Sequence, residues 1–265
     1  MNIKDFFRYW RTILTVTEMT LRHQMNDSFV LFGILVQPIL IAVMALYMLK
    51  DSAANAAMFI VVGSGLTGLW TTQVFASGNS ITQERWQGTL ESLVGVPTPL
   101  GMIIFGKNLA NVTLSLLSMI VSYLLAALLF GYSLSVDQPL LFFPSLVLSM
   151  VGFICFGMTM APLFVMYRSV QQWQNTMEYP VFILAGFLFP ILLLPNWTIP
   201  ISYLLPPYWA AVAMHGTSTG NASVEQTLFA WGMLILFSIL DLLIASRLFK
   251  VMLYKARVEA TLDVQ

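Results

Sequence analysis

Residues 52–83 contain no formally charged side chain, and they enclose one of six runs in the chain long and apolar enough to cross a bilayer. The runs are 29–49, 57–77, 103–130, 140–166, 177–194 and 226–247. Each comes near or above the ~20 residues that a hydrocarbon core demands of a helix. Composition agrees: 58% of residues are hydrophobic and only 9% charged, where a soluble domain carries about 25% charged. Mean hydropathy is +0.81. The expectation is an all-α integral membrane protein with six transmembrane helices.

What charge remains is informative through its placement. With the N-terminus inside, eleven of the twelve basic residues fall on the cytoplasmic side, and only Lys50 lies outside. Such a bias orients the chain with both termini and the segment 81–100 in the cytoplasm. The formal net charge is zero, so no global basic footprint for nucleic acid exists. The single cysteine, Cys155, excludes an intrachain disulfide and a cysteine-based metal cluster. The first 28 residues carry Lys4, Arg8, Arg11, Arg22, Asp5, Glu18 and Asp27 and lack an uninterrupted apolar core, so a cleavable signal peptide is not expected.

The segment 81–100, ITQERWQGTLESLVGVPTPL, is a polar island between two apolar runs. Read as a helix, it places Trp86, Leu90, Leu93 and Val94 on one face and Glu84, Arg85, Gln87, Glu91 and Ser92 on the rest. Pro97 and Pro99 end it. Gly88 has two readings: close approach of another backbone, or a turn that splits two shorter helices.

The order Glu84-Arg85-x-x-Gly88-Thr89-Leu90-Glu91, followed by Pro97 and Gly106-Lys107, resembles the first cytoplasmic loop of ABC-2 type permeases. These are the membrane subunits of a class of ATP-binding-cassette exporters. The resemblance implies that this loop is a coupling helix seated in a cleft of the ATP-binding subunit. It assigns that contact to Glu84, Arg85, Gly88, Thr89, Leu90 and Glu91. It also implies that ATP and magnesium bind the partner subunit and that this chain holds no cofactor.

Two further regions fit. Residues 2–25 interleave Phe6, Phe7, Tyr9 and Trp10 with Lys4, Arg8 and Arg11, which suits a helix lying in the headgroup layer. The family has one there, and the chain divides into this helix (1–28) and a single transmembrane domain (29–265). Between Glu178 and Glu225 lie 46 uncharged residues broken by six prolines. They read as one span followed by short extracellular re-entrant helices. Phe189-Pro190, the Leu-Pro-Asn-Trp run at 194–197 and the Pro-Pro-Tyr-Trp run at 206–209 resemble the corresponding part of the family.

The expected path is lined by the first, second and fifth spans. Gln37-Pro38 marks a kink whose freed carbonyl the Gln can satisfy. The second span carries Gly63, Ser64, Gly65, Thr67, Gly68, Thr71, Thr72 and Gln73, small and hydroxylated residues that favour close helix packing. Translocation-path candidates are Gln37, Thr67, Thr71, Thr72, Gln73 and Phe187. Asp241, six residues before Arg247, is either a functional intramembrane acid or one reached by water or paired with Arg247. Glu178 reads as an acid capping the cytoplasmic start of the fifth span.

Enzymatic chemistry is poorly supported. The run from Gly101 to Asn108 has phosphate-loop spacing, but Asn108 replaces the magnesium-binding hydroxyl and the middle is bulky and apolar. There is no HExxH. The expected function is therefore the permease of an ATP-driven exporter, acting as a dimer with a second, identical or homologous, permease. Its setting is a bacterial plasma membrane and its cargo a hydrophobic or amphipathic drug, antimicrobial peptide or lipid. Within the family, polysaccharide or glycolipid export is the alternative. Outside it, an ion-gradient-driven secondary transporter is the rival, and that class wants several midplane ionisable groups.

Overall fold

The computed structural model describes residues 3–32, 36–48, 54–96, 98–130, 135–166 and 170–258. Among these residues there are helices and turns and no strand, as a chain with nowhere to hydrogen-bond in lipid requires. Helix α1 (Ile3–Asn26) leads through the one-turn α2 (Ser28–Leu31) to α3 (Gln37–Met48). Then come α4 (Ala54–Thr72), a π-helical turn (Gln73–Ser77), α5 (Ser80–Trp86) and α6 (Leu90–Gly95). The long helices α7 (Leu100–Phe130) and α8 (Pro139–Val165) precede α9 (Val170–Leu184). Two 3₁₀ turns, α10 (Ile199–Tyr203) and α11 (Pro206–Ser218) lead to α12 (Val224–Val258).

Four described helical stretches are long and apolar enough to span a membrane: Ala57–Trp86, Leu100–Leu124, Pro139–Val165 and Val224–Lys255. They correspond to the expected second, third, fourth and sixth spans. The expected first span falls partly on residues outside the description, and Pro38 stands at the second position of α3. The expected fifth span differs in its bounds. Its helix begins earlier, at Val170, and stops at Leu184, because Gly186 turns the chain with φ +69° and Pro190 follows.

The second span is the core of the bundle. Every residue from Ile60 to Trp70 is buried, and its small residues are why. A Cβ at Gly63 would sit 2.0 Å from the Phe187 carbonyl oxygen, and one at Gly65 would sit 2.6 Å from Met119. The expectation that this helix faces protein thus holds within a single chain. Helix α12 behaves oppositely. Thr227, Ala230, Leu234, Ser238, half-buried Asp241, Ala245, Phe249 and Met252 recur every three or four residues, a single inward stripe set against α8 and α11. Leu236, Ile239 and Leu243 point outward.

The chain between α9 and α12 folds into short helices, as expected from its prolines. The C-terminal end of α11 meets the start of α8, where Asp137 N and Gln138 N donate to Ser218 O and Thr217 O at 3.3 and 3.2 Å. From there α11 packs against α4, α8 and α12. Its thirteen residues carry its other end about 20 Å along those helices.

Candidate functional site

At the end of the second span the sequence changes from apolar to polar, and the helix responds in two steps. The first is the π-helical turn, closed by Gly78 N donating to Gln73 O at 2.9 Å. Widening a helix leaves carbonyls short of partners, and here Gln174 Nε2 on α9 donates to Val74 O at 2.8 Å. Around it lies a knot of buried amides and hydroxyls. Asn111 Nδ2 donates to Ser77 Oγ at 2.8 Å, Gln24 Nε2 to Asn111 Oδ1 at 2.5 Å, and Ser115 Oγ to Thr72 Oγ1 at 2.8 Å. The knot ties α1, the second span, α7 and α9 together.

The second step is α5 and α6. One three-turn helix was expected over this island; the structure has two short helices separated at Gln87–Thr89. Gly88 adopts φ +71°, and no atom lies within 4 Å of where its Cβ would be. It is therefore the turn that splits two helices, and the close-approach reading of Gly88 fails within this chain. The break also moves Trp86. It does not pack with Leu90 but stands 69% exposed, whereas Leu90 is buried and Leu93 is packed against the core.

The charged residues of the island are held by the bundle. Glu84 pairs with Lys107, two turns into α7, and accepts a hydrogen bond from the Thr89 hydroxyl, while Lys107 Nζ also donates to Ser80 O at 3.2 Å. Burial pushes the Glu84 carboxyl up, but the bonds from Lys107 and Thr89 and the Lys107 charge outweigh it. The group is held below the usual carboxylate range. Arg85 Nη1 reaches the Val165 carbonyl at the end of α8, at 3.4 Å. Trp86, Gln87, Thr89 and Ser92 are exposed. The side chain of Glu91 lies outside the description, as does that of Gln37 in α3.

This brings the quoted motif into one structural unit: Glu84 and Arg85 anchor the segment, Gly88 turns it, and Lys107, quoted with them in the motif, is the anchor's partner. Comparison with known families then decides the matter, because the family described as ABC-2 type transporter matches residues 11–218. The chain belongs to the ABC-2 type transporter family. No curated protein sequence matches it. It is a multi-pass membrane protein and the permease subunit of an ABC transporter, with no catalytic role of its own.

The remaining site residues of this permease divide by burial. Thr67, Thr72, Gln73 and Phe187 are packed inside the single chain. Thr67 and Thr72 turn their hydroxyls back onto Ser64 O and Gly68 O at 2.7 Å each, and Phe187 gives its carbonyl to His215 Nε2 at 3.0 Å. Thr71 is half-buried and donates to Glu178 Oε1 at 3.0 Å. Glu178 is not a capping acid: α9 begins eight residues earlier, at Val170, so the carboxylate faces α4 from mid-helix and is 6% exposed. Asp241 lies on the inward side of α12. Its backbone carbonyl accepts from Thr159 Oγ1 at 2.9 Å. Its Oδ2 is buried with no hydrogen-bond partner among the described residues, so pairing with Arg247 is not made there.

Proposed function

We propose that this permease forms the translocation pathway of an ATP-driven exporter, as a dimer, and that separate ATPase subunits drive it through α5–α6. The anchoring of α5 carries this reading. The segment leaves the buried second span through the π-helical turn and is pinned to α7 by Glu84–Lys107 and to α8 by Arg85. It presents Trp86, Gln87, Thr89 and Ser92 outward. A push on such a segment is delivered to three helices at once, and the exposed Trp86 has the amphipathic area that anchors interfaces. ATP and magnesium would bind the partner. The N- and C-termini are read as cytoplasmic, which puts α5–α6 on the side where ATP is.

For cargo, the protomer offers few charges and much apolar surface, which favours a hydrophobic or amphipathic compound. Polysaccharide or glycolipid export has one observation behind it: Trp173 and Tyr179 are both exposed on α9, about 9 Å apart along the helix, beside exposed Gln172 and Thr176. Exposed rings beside an amide and a hydroxyl are groups that sugars contact. The test of coupling is co-purification from the native membrane with an ATPase subunit, comparing wild type with Trp86→Glu. A charged residue at the centre of the contact should abolish the association while the permease stays folded. An undiminished association would refute the α5–α6 contact, and a wild type that transports in a proton gradient without ATP would refute the ATP-driven reading.

A further inference from the structure

A second feature lies apart from α5–α6, where the inner end of α11 meets α8 and α12. There the helices leave a crevice of about 270 Å³ counting its open side. Its mouth is formed by half-buried Phe156, Pro206, Phe237 and Asp241, and its floor includes buried Ser149 and Ser238. Gly152 keeps it open, since a Cβ there would meet only Leu234 and Ser238, at 3.5 and 3.7 Å.

The lining has an unmet electrostatic need. Asp241 Oδ2 and Ser149 Oγ are buried without hydrogen-bond partners among the described residues. Helix α11 cannot supply donors, because its first two residues are Pro206 and Pro207 and neither has an N–H. Ser238 spends its hydroxyl proton on Leu234 O at 2.7 Å. A carboxylate left so in an apolar setting is costly until a cation or a proton reaches it. A hard metal ion would want six or more oxygens, and the crevice offers one carboxylate and two hydroxyls. Phenyl rings line it instead, Phe153, Phe156 and Phe237, and ring faces attract organic cations.

We propose that this crevice binds the protonated amine head of an amphipathic alkylamine. The crevice as a whole has room for about one water-sized group, which suits a primary ammonium head and excludes a bulky one. The alkyl chain leaves through the mouth and lies along the exposed apolar residues that flank Asp241 on α12, Leu240 and Ile244. The ammonium pairs with Asp241 Oδ2 and donates to Ser149 Oγ. The site belongs to one protomer and stands whether or not an ATPase subunit drives the chain.

The test uses the full permease, with any subunit that accompanies it, in phosphatidylcholine nanodiscs at neutral pH. Hexylamine and the uncharged hexanol are titrated calorimetrically against empty-disc blanks. Wild type should bind hexylamine and not hexanol, and Asp241→Asn should weaken hexylamine binding about thirty-fold or more, as loss of one partner of a buried charge pair does. A second measurement needs no variant. Modification of Asp241 by dicyclohexylcarbodiimide, followed by mass spectrometry, should slow about ten-fold when hexylamine is present and be unchanged by hexanol. Equal binding of amine and alcohol, equal binding by Asp241→Asn, or no protection of Asp241 by the amine would each overturn the proposal.

Discussion

Gly152 and Gly157 stand five residues apart on α8, and a methyl group added to one meets a different world from a methyl added to the other. At Gly157 it would lie 2.1 Å from Gln73 Oε1, 2.9 Å from Asn108 Nδ2 and 3.1 Å from Ser77 Cβ. That face of α8 is packed against the polar knot below the π-helical turn. At Gly152 the nearest atoms are 3.5 and 3.7 Å away, and that face borders the crevice with Asp241. One face has polar groups in contact and no room, the other an open crevice and an acid without a donor. Glycine in a membrane helix thus has two distinct uses here: admitting a neighbour's side chain, and leaving a hole.

The largest effect is expected where the packing is tightest. Gly157→Ala should destabilise by about 2–3 kcal/mol, at the upper part of the range for overpacking, because the obstructing atoms belong to a fully buried amide rather than to a flexible surface chain. A thermal melt in nanodiscs reads this directly. Gln73→Ala in the same background should recover much of the loss by removing the amide that the methyl strikes, and failure to recover would mean that the two faces of α8 differ for another reason.

Next is the anchor of α5, where an acid has what Asp241 lacks. Glu84 and Lys107 keep only about one-sixth of their side-chain surface exposed, so their pair falls between surface bridges and buried ones. Glu84→Ala should cost about 1–2 kcal/mol. The exchange Glu84→Lys with Lys107→Glu should restore part of it. The sign with pH follows from the lowered native pKa: Glu84 binds its proton more weakly folded than unfolded, so its contribution is fully present above the unfolded value of about 4.5. It is lost as pH falls through the lower native value. The melting difference between wild type and Glu84→Gln should therefore close in acid, and a difference that grew instead would show that the pair is not formed.

Much of this was legible in the sequence, and the failures have a common cause. Four apolar runs fold as long helices, and the Glu84-to-Glu91 order with Lys107 pointed to the family now matched. Those signals are local, or depend on composition over ~20 residues. Trp86 was misplaced because i, i+4 logic assumes a continuous helix, and whether Gly88 adopts positive φ decides that. Glu178 was taken for a cap because the apolar run begins near it, whereas the helix begins at polar residues upstream. The contact of Gly157 with Gln73 joins positions 84 apart, and the crevice needs α8, α11 and α12 together. No periodicity within one helix encodes either.

Trp86→Ala should leave stability within about 0.5 kcal/mol of wild type, as exposed positions do, yet lower cargo-dependent ATP hydrolysis by the assembled transporter several-fold. Glu84→Ala, by contrast, should move both. Were Trp86→Ala to lower the melting point as much as Glu84→Ala, the ring would belong to the bundle and not to a partner.

The smallest expected effect is the sharpest test of the two faces. Gly152→Ala gains the helix-propensity difference between Ala and Gly, up to about 1 kcal/mol in a helix interior, and meets only ordinary van der Waals neighbours. Its melting temperature should match or slightly exceed that of wild type. The added methyl also narrows the crevice floor, so the same variant should weaken hexylamine binding while stability holds. A fall in stability comparable to that of Gly157→Ala would mean that the crevice wall is already close-packed, and the distinction between the two glycines would disappear.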